Sequence, residues 1–124
     1  MRLLFTAIIA LSMAIPTQAQ VKINGVTLPA TIKAGDASVS LNGGGIRKKL
    51  FFKLYVGGLY LTTKSADAKA IINADEAMAV KLEITSGMIS SDNMSEAITE
   101  GFEASTGGNT APLKSEIDAF VNTF

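Results

Sequence analysis

From Ala79 to Thr85 apolar and polar residues alternate strictly. Val80, Leu82 and Ile84 fall on one side and Lys81 and Glu83 on the other. That period of two predicts a strand with its apolar face turned inward and its charged face wet. A longer extended run spans Leu50 to Thr62, with Leu50, Phe52, Leu54 and Val56 on one face and Phe51, Lys53 and Tyr55 on the other. Gly57-Gly58 interrupts it before Leu59, Tyr60 and Leu61; a glycine pair inside a strand marks a bulge, a bend or a close approach. Upstream, Val21 to Ile32 reads as two short strands around an Asn24-Gly25 hairpin turn, and Ala34-Gly35-Asp36 makes a turn into a third short strand, Ser38 to Leu41. Gly43, Gly44 and Gly45 predict a further turn.

Three segments carry helical spacing instead. Ser65 to Asn73 is a short helix capped by Ser65, with Ala66, Ala70, Ile71 and Ile72 toward the interior. Ser90 or Ser91 caps a second helix to about Ser105, striped by Met94, Ala97, Ile98 and Phe102 and stopped by Gly107-Gly108-Asn109. A third opens at Thr110 or Ala111 with Pro112 in its first turn, and repeats Leu113, Ile117, Phe120, Val121 and Phe124. Together these elements predict one α+β domain. Leu50 to Leu61 is its central strand, antiparallel to Ala79 to Thr85, and the last two helices cover one face. The competing topology, a parallel pair with the 65–73 helix as crossover, is permitted by the length of the connection.

Residues 1–19 fit none of this. Arg2, the apolar run Leu3 to Ile15 and Thr17-Gln18-Ala19 have the form of a secretory leader, so the mature domain is expected to span 20–124 and to be periplasmic or secreted. The apolar run is shorter than the roughly 20 residues a membrane crossing needs, which argues against a stable membrane anchor. The apolar pattern still running at Phe124 predicts a sequence that is cut short at its C-terminus.

The whole chain carries eleven basic and eleven acidic residues. Near-neutrality gives no overall electrostatic case for nucleic acid or an anionic membrane, but the charge is uneven. Arg47, Lys48, Lys49 and Lys53 cluster, while Asp92, Glu96, Glu100, Glu103, Glu116 and Asp118 make the C-terminal part acidic. Cysteine and histidine are both absent. Disulfides, Cys/His zinc sites and every catalytic arrangement built on either residue are thereby excluded. Neither phosphate-loop pattern, GxxxxGK[ST] or GxGxxG, occurs around Gly43 to Lys49, so no cofactor is expected there. The helical spacing of Asp92, Glu96, Glu100 and Glu103 describes a solvated helix face rather than an acid/base pair.

What remains is Arg47, the only arginine after residue 19. Its rigid donor fork suits a carboxylate or phenolate, and the blander reading is a surface arginine paired with the acidic helices. Tyr55 and Tyr60 are the accompanying candidate ligand-binding residues, each equally readable as a core tyrosine with its hydroxyl at the rim.

The segment LNGGGIRKKLFFKLYVGGLYL, followed by a short helix, the strand AVKLEIT and SSDNMSEAITEGF, resembles the chalcone isomerase-like proteins of bacteria. In that group G-x-G-[VI]-R precedes a K-x-Y-V-G-x-L-Y-L strand, and the resemblance covers about Val21 to Phe124. It implies an open-faced antiparallel β-sandwich with helices packed on the large sheet and a ligand cleft between, continuing beyond Phe124. In true chalcone isomerases the motif arginine, matched by Arg47, holds a phenolate while a threonine and a tyrosine polarise the carbonyl through water. Tyr55 stands where the threonine is expected, Ile89 near the tyrosine and Glu96 near a substrate-contacting asparagine. Noncatalytic relatives bind fatty acids through the same arginine. The resemblance therefore implies binding of a small amphipathic acid, such as a fatty acid or a flavonoid-like ligand, rather than turnover. An isomerase and a structural or protein-interaction domain are the alternatives.

Overall fold

The computed structural model describes residues 20–124; the expected leader lies outside the described residues. Asn24 and Gly25 hold φ angles of 49° and 80°, the left-handed pair that a two-residue hairpin needs, so β1 (Val21–Ile23) folds back on β2 (Val26–Leu28). Gly35, at φ 59°, turns β3 (Thr31–Ala34) into β4 (Ala37–Lys49). The meander continues through β5 (Phe52–Leu61) to β6 (Met78–Ile84), giving a sheet in the order β3-β4-β5-β6 with every pair antiparallel. The result is an open, curled sheet, half of a barrel, with helices packed against it, as the resemblance implies. The expected antiparallel pairing of β5 with β6 is present, and α1 (Ala68–Asn73) is not a crossover between parallel strands.

Three local expectations are corrected. Gly43, Gly44 and Gly45 do not turn the chain; they lie inside β4, paired with Leu59, Gly58 and Gly57. The turn comes later. Lys49 pairs with Phe52, so Leu50 and Phe51, expected within the long strand, form a two-residue loop instead. The first helix begins at Ala68, capped by the Asp67 carboxylate, which accepts from the amides of Lys69 and Ala70; Ile72, expected inside, is exposed. Ser65 is engaged elsewhere. Asn42, the extra residue where the β4–β5 register shifts, donates its amide to the Ser65 carbonyl at 2.9 Å and accepts the Ser65 amide at 2.8 Å.

Leu28, Val39, Leu41, Val56 and Tyr60 form the core, flanked by Ile23, Val26, Ile32, Ala34, Ile46, Ala77 and Ala79. It lies between the β1–β2 hairpin and one face of the sheet. Gly44 and Gly58 are registered partners on that face, and a Cβ at either would press on Leu28 Cδ1, at 2.6 and 3.1 Å. α2 (Ser91–Ser105) starts at the Ser90 cap as expected, and α3 (Lys114–Val121) follows a 3-10 turn, Ala111–Leu113, that carries Pro112. Their stripes meet through an edge-on contact of Phe102 with Phe120, ring centroids 6.2 Å apart.

Candidate functional site

In an antiparallel sheet directly opposed residues share a face, so the register alone draws the surface opposite the core. Three rows cross β4, β5 and β6 there: Arg47, Tyr55 and Ile84; Gly45, Gly57 and Leu82; Gly43, Leu59 and Val80. The glycines give the centre of this grid a floor of bare backbone. A Cβ at Gly43 or Gly45 would meet nothing within 4 Å. Leu59, Val80 and Leu82 rise beside that floor, and together with the 42–45 stretch, Tyr55 and Gly58 they line a shallow trough of about 440 Å³. From the Arg47 row to the Gly43 row is four residues along a strand, or about 14 Å.

The β6 alternation is therefore present with its faces exchanged from expectation. Val80, Leu82 and Ile84 keep 67, 37 and 46 % of their surface exposed, while Ala79, Lys81 and Glu83 are partly buried on the core side. The register with β5 decides it: Ile84, Leu82 and Val80 stand opposite Tyr55, Gly57 and Leu59 on the trough face, while Glu83, Lys81 and Ala79 stand opposite Val56, Gly58 and Tyr60 on the core face.

Arg47 and Tyr55 are brought together as cross-strand partners at one end of the trough, Arg47 exposed and Tyr55 half-buried. Tyr60 is not brought to them. It lies on the core face, wholly buried, its hydroxyl donating to the Pro29 carbonyl at 2.9 Å. Burial raises the Tyr60 phenol above the ordinary tyrosine range, opposed by the nearby charge of Lys81. Lys81 in turn is raised, chiefly by its hydrogen bond to Glu83, whose carboxylate it meets at 2.6 Å. Among the described residues the ion pairs are Lys81–Glu83 and Lys114–Asp118; Arg47 is in neither, so it is not paired with the acidic helices.

An exposed cation outside either ion pair thus stands beside a tyrosine at the head of an apolar trough on an open half-barrel. The family model for chalcone isomerase-like proteins matches residues 20–124. The chain belongs to the chalcone isomerase-like family. No curated protein and no solved structure matches it. The family includes catalytic and noncatalytic members. In this chalcone isomerase-like chain that face is apolar and exposed. Among the described residues no helix is long and apolar enough to cross a membrane.

The trough residues Gly43, Gly45, Gly57, Val80 and Leu82 were not among the candidate ligand-binding residues read from the sequence. For the glycines the signal lies in the spacing of the two runs: one hairpin turn between them brings Gly44 and Gly45 opposite Gly58 and Gly57.

Proposed function

We propose that this domain binds a small amphipathic carboxylate, such as a fatty acid, with the carboxylate on Arg47 and the apolar chain lying along the glycine floor toward Gly43. The observation that carries the reading is the first row of the grid, which puts Arg47 and Tyr55 together at one end of a trough otherwise lined by backbone, leucine and valine. The guanidinium supplies a fork of donors to the carboxylate, and Tyr55 adds a hydroxyl beside it. Leu59, Val80, Leu82 and Ile84 lose water as the chain settles, which supplies the nonpolar part of the affinity. Binding is favoured over chalcone cyclisation because Ile89 and Glu96 offer no counterpart to the expected tyrosine and asparagine, leaving the cation without a partner to polarise a carbonyl.

Titration of decanoate into the protein and its Arg47→Ala variant tests this. Loss of about tenfold in affinity is expected, the effect of removing one charge-assisted contact. Equal affinity in the two proteins would remove the proposal, and conversion of a chalcone to a flavanone, lost on the same substitution, would replace it with catalysis. On the strength of the leader we further propose export to the periplasm or the medium, with a mature N-terminus at Gln20; a purified protein that still begins at Met1 would overturn that.

A further inference from the structure

Two of the hairpin turns in this chain are made as water-facing turns ordinarily are, with Asn24-Gly25 and Gly35-Asp36. The turn between β4 and β5 is not. Its two central residues are Leu50 and Phe51, and Leu50 takes φ 54°, a left-handed conformation that hairpins normally give to glycine or asparagine. Leu50, Phe51 and Phe52 are 84, 97 and 50 % exposed, and no other large apolar side chain among the described residues is as exposed as Phe51. A strained backbone thus presents three adjacent apolar side chains to solvent.

Four cations ring this tip. Arg47 and Lys49 share one face of the hairpin with Phe52, while Lys48 stands directly opposite Lys53 on the other. Like charges in direct cross-strand opposition destabilise a hairpin. Nothing nearby in sequence neutralises them, since no acidic residue occurs between Asp36 and Asp67. Among the described residues none of the four is in an ion pair, and the Lys53 ammonium meets only the neutral Asn24 Oδ1 at 2.9 Å. The near-zero net charge of the chain conceals this local excess.

We propose that the β4–β5 tip docks reversibly on an anionic lipid bilayer, Leu50, Phe51 and Phe52 entering the boundary between headgroups and acyl chains while Lys48, Lys49 and Lys53 meet the lipid phosphates. An apolar wedge alone would suit a second protein, and a basic patch alone any polyanion. The two together, apolar at the end and cationic on both sides just behind it, match the layering of an anionic interface. The docking is peripheral: the wedge is one turn of a hairpin, not a spanning segment.

The chain contains no tryptophan, so Phe51→Trp places one fluorescent reporter at the tip, at a position exposed enough to accept it. With phosphatidylglycerol vesicles its emission should shift to the blue and be quenched by brominated acyl chains, while phosphatidylcholine vesicles leave it unchanged. Lys48→Glu with Lys49→Glu in the same protein should weaken partitioning at least about tenfold, since each basic residue near such a surface contributes about fivefold. These variants leave Arg47 and the trough intact, so decanoate binding reports separately that the sheet is folded. Three results would overturn the proposal: an emission unmoved by phosphatidylglycerol in a protein that still binds decanoate or melts cooperatively; a blue shift that needs no vesicles and grows with protein concentration, which would mean self-association; and an equal shift with soluble polyphosphate, which would mean attraction to charge alone.

Discussion

On the core face of β4, a Cβ at Gly44 would stand 2.6 Å from Leu28 Cδ1, 2.9 Å from Ile23 Cδ1 and 3.2 Å from the Gly57 carbonyl oxygen; on the opposite face, a Cβ at Gly45 would touch nothing within 4 Å. The same residue type, one position apart, is needed in the first case for close packing and in the second keeps a trough empty. Tyrosine divides the same way, Tyr60 buried and bonded to Pro29, Tyr55 beside Arg47 on the open side. A sheet whose core face is sealed by a hairpin while the opposite face keeps an exposed trough puts the packed residues and the proposed binding residues on separate faces, and substitutions can test that separation.

The largest effect is expected from Gly44→Val. Its side chain must displace Leu28 and Ile23, and overpacking of this kind costs about 1–3 kcal/mol. Urea denaturation should show a lower midpoint at unchanged slope; an unchanged midpoint would mean that the β1–β2 hairpin lifts without penalty. Next, Tyr60→Phe keeps the ring and removes the hydroxyl bond to Pro29, for a loss of about 0.5–1.5 kcal/mol, whereas Tyr55→Phe should stay within about 0.5 kcal/mol of the parent.

The same tyrosine sets an alkaline limit. Its pKa is raised in the folded state, so the unfolded phenol releases its proton first and stability falls as pH rises above about 10. Lys81, also raised, contributes stability that disappears in the same direction as pH climbs through its folded pKa. Tyr60→Phe should therefore flatten the alkaline decline without abolishing it. A decline of equal steepness in the variant would assign the whole effect to Lys81 or to residues elsewhere.

The smallest effect on stability, and the sharpest on function, belongs to Gly45→Val. The position is open and a β-branched residue suits a strand, so the melt should move by no more than about 0.5 kcal/mol while decanoate binding is lost. Retained binding would place the ligand elsewhere.

The sequence was most legible where local physics decides the outcome. Asn24-Gly25, the Ser90 cap, Pro112 and the β5–β6 pairing all read correctly, because turn chemistry, capping and alternation each act within a few residues. It was least legible where a choice depends on a distant partner. Three consecutive glycines look like a turn until another glycine pair lies across from them, and the apolar side of β6 looks like the core side until its register with β5 puts it on the trough face. Leu50-Phe51 carries no turn signal at all, so the hairpin there is dictated by the register of the flanking strands rather than by its own residues. For the site, Arg47 and Tyr55 were identifiable as candidates, but Tyr60 could be separated from them only once the parity of β5 was known.

Strand order along the main sheet follows chain order, and that has a kinetic side. β3, β4 and β5 are joined by two-residue turns, so their pairing closes very short loops at little entropic cost, while β6 must return across a sixteen-residue connection. The sheet should then zip from β3 to β5 early, with β6 docking last. An edge strand added late and sealed on one side only is among the first to open in the native state. Its side chains Val80 and Leu82 form one wall of the trough, so the width of the trough is expected to vary with the opening of that strand. If the trough takes a ligand as proposed, the β6 side is then expected to yield before the floor shared by β4 and β5, so that ligands of differing girth should be accommodated more readily than ligands of differing head group.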